Sequence, residues 1–225
     1  LTSGCRKVFR QRKTARRTQA GINRLYVGQA GNFCKSANRF FSRCLDIMQS
    51  LMECVPEGWW SLADADTFYP DDLPEDWRLT YFANAFPAVL VPAALWQERS
   101  VHELSDWRAD VHAGFRFFLD CPATSDQHAR MRAAAALGPA LAAFVMDQPK
   151  HVPRDCRNLR WLLAPQATEP EGIALLAPRP LNTDLRSARG WLDALPHRHC
   201  LVILDTPTAS ELDAWQQLIA LMGRR

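Results

Sequence analysis

Three apolar runs in this chain end alike: "FFLDCP" at residues 117–122, "FVMDQP" at 144–149 and "VILDTP" at 202–207. Short, wholly apolar runs rich in aromatic and β-branched residues read as strands covered on both faces. The Asp–x–Pro ending is turn chemistry: the aspartate bonds its own backbone, and proline stops the strand. Two further runs, "AVLV" at 88–91 and "IALLA" at 173–177, lack that ending but have the same apolar character. The five strands begin near residues 88, 115, 141, 173 and 200, with separations of 27, 26, 32 and 27.

Helix signals fill the intervals. Ser100 with Glu103, and Thr208 with Glu211, form capping boxes, and Ser125 and Thr183 are further caps. In "FYPDDLPEDWRLTYFANAF" (68–86), Asp72, Pro74 and Glu75 read as a helix start. Trp77, Tyr81, Phe82 and Ala85 then share one helical face and are expected in the core. "RDCRNLRWLLA" (154–164) suits helix or strand, and the alternation selects helix. A sixth strand is expected at "RLYVG" (24–28). Parallel strands alternating with helices define an α/β fold with right-handed crossovers. Six strands fall short of eight, so the expected fold is a reduced or incomplete (β/α) TIM-like barrel. An open doubly wound sheet is the alternative.

In such folds the carboxyl ends of the strands form the functional face. Asp120, Asp147 and Asp205 would stand on that rim as the catalytic candidates, suited to proton transfer, metal or sugar hydroxyls. Turn chemistry alone also accounts for them. Arg179, in "LLAPRP", has no such explanation, because a turn has no special need for arginine. It is the ligand-binding candidate, either for an anion or as partner to a rim aspartate. "HRHC" (197–200) lacks a second pair of metal ligands, and no glycine-rich phosphate loop is present, so neither metal nor cofactor is expected.

Charge divides the chain. Residues 1–50 carry 11 Lys/Arg and one acid, whereas residues 51–225 carry 16 Lys/Arg and 23 acids. Residues 1–23 therefore read as a basic, disordered leader before a single α/β domain at 24–225. Residues 6–17 also suit a nucleic-acid-binding arm, and the Arg-rich, acid-poor leader an organelle transit peptide. Seven cysteines without a CxxC pair favour free thiols, and no run of about 18 apolar residues predicts a membrane span. The expected location is cytoplasmic.

"LYVGQAG" (25–31) and the 68–86 stretch resemble, in order, the opening of the YecE-like family, domain of unknown function 72. "GFRFFLDCP", "LAAFVMDQP" and "LLAPR" resemble its later strands. The resemblance implies a (β/α) barrel. It also implies lost polar groups: Pro92 and Ala93 replace family polar residues, Asp120 stands where the family has lysine, and Ala177 replaces the acid of a Glu–x–Arg strand that keeps Arg179. Three functional readings stay open. The protein binds a small polar or anionic ligand at the strand ends, catalytically or not. It is a non-catalytic interaction protein, for which a rim plugged by Trp96 and prolines would speak. Or it associates with nucleic acid through its basic arm.

Overall fold

A computed structural model describes residues 51–147, 160–166, 172–195 and 199–223. The basic leader, the "RLYVG" segment and His197 lie outside the described residues. Among the described residues, seven strands form one sheet: β1 (Met52–Pro56), β2 (Ala88–Val91), β3 (Arg116–Asp120), β4 (Leu141–Met146), β5 (Arg160–Leu163), β6 (Gly172–Leu176) and β7 (His199–Leu204). Their order is β1-β7-β6-β5-β4-β3-β2, so every strand lies beside its sequence neighbours and the two ends meet. A parallel bridge between Glu57 and Leu90 joins β1 to β2, with the Gly58 N–H donating to the Leu90 carbonyl at 2.7 Å. The sheet is therefore a nearly closed barrel rather than an open doubly wound sheet.

Alternation along the strands sorts the core into two layers. Val55, Leu90, Phe118, Val145, Leu162, Ala174 and Ile203, one from each strand, pack together inside the barrel. Met52, Val89, Phe117, Phe144, Ile173 and Val202 point outward to the helices. Those helices are α1 (Arg78–Ala85), α2 (Val101–Ala109), α3 (Gln127–Leu137), α4 (Leu185–Asp193) and α5 (Ala209–Leu221). Phe82, Leu104, Leu137, Leu192 and Trp215 supply their buried contacts.

Several local expectations need correction. Residues 160–163 are a strand, not a helix, and β5 runs antiparallel to both β4 and β6. Alternation of element types misled here because an antiparallel strand needs no crossover helix. Strand β1 was not anticipated, since Glu53 and Pro56 interrupt its apolar pattern. Asp72 caps nothing: the chain enters α1 through a 3-10 turn at Glu75–Trp77, with Pro74 at the capping position. Trp77 is 61% exposed and Tyr81 38%, so the buried face of α1 is Leu79, Phe82 and Ala83 instead. Asp126 rather than Ser125 caps α3, and Asp184 rather than Thr183 caps α4. In both places the true cap is the neighbouring residue, whose carboxylate reaches the third amide of the helix.

The two capping boxes form as expected, at Ser100/Glu103 and Thr208/Glu211. Thr208→Ala removes the acceptor for the Glu211 N–H at 3.1 Å, and should cost about 1 kcal/mol in chemical denaturation. An unchanged midpoint would mean that Glu211 and Asp64 hold the start of α5 without it.

Candidate functional site at the barrel mouth

Two residues beyond the inner apolar layer, the inward-facing positions become charged. Val55 leads to Glu57, Phe118 to Asp120, Val145 to Asp147 and Ile203 to Asp205. Because β5 runs the other way, Leu162 leads back to Arg160, which stands at the same end. Five of seven strands thus place a charged side chain at the mouth, above an apolar plug.

Arg160 joins two of the predicted aspartates. Its Nε donates to Asp147 at 2.8 Å and its Nη2 to Asp120. The Asp120 side chain is 15% exposed, against 49% for Asp147. Burial pushes the Asp120 carboxyl above the usual carboxylate range. The Arg160 guanidinium opposes the rise, the Asp147 and Glu57 carboxylates add to it, and the Ala93 backbone N–H opposes it again. Desolvation wins even beside an arginine, because a carboxylate inside the mouth has few water contacts left. Trp96 Nε1 donates to the Asp120 carbonyl at 2.8 Å, which fixes the backbone under the carboxyl.

Arg179 and Asp205 form a second pair. Arg179 Nε donates to Asp205 Oδ2 at 2.8 Å, and Thr206 Oγ1 donates to Asp205 Oδ1 at 2.9 Å. These two hydrogen bonds, the arginine's first, hold the Asp205 carboxyl below its usual range. Thr206 sits at φ 46°, in the left-handed region that β-branched residues avoid. That strain is concentrated at the mouth and places the threonine hydroxyl on the aspartate. Arg179 remains 68% exposed, and its two Nη groups have no partner among the described residues.

The loops around the mouth are tied together. Asp64 Oδ1 accepts from the Ala209 N–H at 2.9 Å, and the Ala63 N–H donates to the Pro207 carbonyl at 2.9 Å. These bonds tether the segment after β1 to the one after β7. Trp60 lies on the rim, 38% exposed, with its ring packed against Gly58. A Cβ at Gly58 would stand 2.7 Å from that ring, and its φ of +88° also demands glycine.

All four residues singled out from sequence therefore stand at one end of the barrel, in two groups: Asp120 with Asp147, and Arg179 with Asp205. Arg160 and Glu57 were missed. Arg160 was hidden by reading its segment as helix; an arginine directly before "WLL", taken as a strand running downward, would have placed it here. Glu57 was hidden with β1. Trp96 is buried in the outer layer against Phe144, at 6.0 Å between ring centroids.

Fold and mouth together define an α/β barrel, of seven strands among the described residues, with a charged carboxyl-end rim. The family profile described as "Protein of unknown function DUF72" matches residues 57–178. That is more than half of the chain, and the protein belongs to this family. No curated protein and no solved structure matches it. Within the matched span, Ala93 lacks a polar side chain, yet its backbone N–H opposes the rise of the Asp120 carboxyl. Ala177 is buried at 2% exposure. No helix among the described residues is long and apolar enough to cross a membrane.

Proposed function

We propose that the protein binds a small polar ligand bearing an anionic group at the carboxyl-end mouth of the barrel. One observation carries this reading: the inward positions above the apolar plug are Glu57, Asp120, Asp147, Arg160 and Asp205. Charged side chains are expensive to gather without a partner, and their convergence at the end of an α/β barrel is the arrangement ligand sites use. The free Nη face of Arg179 suits a planar or tetrahedral anion. The carboxylates accept from hydroxyl or amine groups on the remainder of the ligand. Asp120, with its carboxyl held toward the protonated form, is the group suited to exchange a proton with that ligand.

The test uses sulfate and phosphate as probes of the anion subsite. Each should raise the melting temperature of the wild type and raise that of Arg179→Ala much less. Asp147→Asn should keep the anion response, because Asp147 contacts Arg160 and not Arg179. Equal shifts in wild type and Arg179→Ala would remove the anion subsite. The interaction-protein reading has less support, since Trp96, which it would set on the rim, packs in the outer layer against Phe144. The nucleic-acid reading rests on residues 6–17, outside the described residues; deleting 1–23 and measuring salt-dependent affinity for DNA and RNA would decide it.

A further inference from the structure

The opposite end of the barrel holds a second polar cluster that the mouth does not use. Glu53 of β1 faces inward and is only 7% exposed. Arg116 of β3 approaches its Oε2 with Nε at 3.2 Å, and His199 of β7 approaches its Oε1 with Nε2 at 3.7 Å. None of these contacts has hydrogen-bond geometry. Both Glu53 oxygens, Arg116 Nε, His199 Nε2 and the Gln216 Nε2 of α5 are buried without a hydrogen-bonding protein group. Glu53, Arg116 and Gln216 line one cavity of about 30 Å³, beside Met52, Ala88 and Ile219.

The cavity lies at the seam of the barrel. Strands β1 and β2 meet through the single bridge at Glu57 and Leu90, near the mouth. Toward the amino end the described residues form no ladder between them, and Ala88 offers only a methyl group. Glu53 and Arg116 stand on the two strands that flank β2.

The donor and acceptor inventory selects the occupant. A carboxylate only accepts, while the guanidinium and amide nitrogens only donate. A ligand here must therefore donate to Glu53 and accept from Gln216 and Arg116. A cation cannot accept and would add charge beside Arg116. An anion would face the buried Glu53 carboxylate and is too large for the space. Water does both, and the cavity exceeds the 10–15 Å³ or so that one molecule requires. We infer that Glu53, Arg116 and Gln216 form a built site for one or two ordered waters, which bridge them and close the seam between β1 and β2 where the described residues form no ladder.

Two measurements on the full chain test this. Water–protein cross-relaxation NMR should show a long-lived water beside the Gln216 side-chain amide. Resolved Gln216 resonances without that signal, or a crystal structure in which Glu53 bonds Arg116 directly and the cavity is closed, would overturn the site. Amide exchange tests the seam. In Glu53→Ala, the Gly58 N–H, bonded to Leu90, should exchange at least tenfold faster, while the Cys121 N–H, bonded to Val145, changes less than twofold. Equal acceleration at both amides would overturn the seam role. If Glu53→Ala does not fold, Glu53→Gln carries the same comparison, since it keeps one acceptor and loses the charge.

Discussion

Arg160→Ala should destabilise the protein by about 2–3 kcal/mol, somewhat less than breaking a fully buried ion pair costs, because Arg160 is 28% exposed. The loss comes from what is left behind. Asp120 would remain mostly buried, facing Asp147 and Glu57 without its cation. The pH dependence carries the signature. The Asp120 carboxyl is already raised in the folded state, so the native protein binds more protons than the unfolded chain above the ordinary carboxylate range. Stability then falls as pH rises from the unfolded value through the folded one. Removing Arg160 raises the folded value further and widens that window. The deficit of Arg160→Ala should therefore shrink on acidification toward the ordinary carboxylate value. Arg160→Ala combined with Asp120→Asn should recover part of it at neutral pH. A deficit independent of pH, measured by urea denaturation across that range, would show that Asp120 is not the residue penalised.

Gly172→Ala should have a comparable effect for a different reason. An added Cβ would stand 2.3 Å from the His199 carbonyl oxygen, which belongs to the backbone of the paired strand β7. Neither atom sits at the end of a flexible side chain, so the β6–β7 ladder must shift. Overpacking of this kind costs about 1–3 kcal/mol, and a backbone clash belongs at the upper end. Gly190, with nothing within 4 Å of an added Cβ, is the control: Gly190→Ala lies in helix α4 and should be stabilising by about 0.5–1 kcal/mol. Equal effects at the two glycines in thermal unfolding would contradict the close approach of β6 to β7.

Sequence alone determined the elements whose signal is local. Strands β2, β3, β4, β6 and β7 were legible because apolar runs of that length between capped helices have few other uses. The capping boxes of α2 and α5 were legible because they need only two side chains three residues apart. Three Asp–x–Pro endings and Arg179 marked one rim, since parallel strands carry equivalent ends to the same side. Tertiary structure decided the rest. The antiparallel direction of β5 depends on its pairing with β4 and β6, and that direction alone carries Arg160 to the mouth, between Asp120 and Asp147. Strand β1 is charged at Glu53 because that side chain enters a polar cluster built from β3, β7 and α5, which no local pattern records. Trp77 and Tyr81 follow a helical apolar period yet stay exposed, because periodicity names a face but not what covers it. The raised carboxyl of Asp120 likewise comes from burial among Arg160, Asp147, Glu57 and the Ala93 amide, groups that only the closing of the barrel brings together.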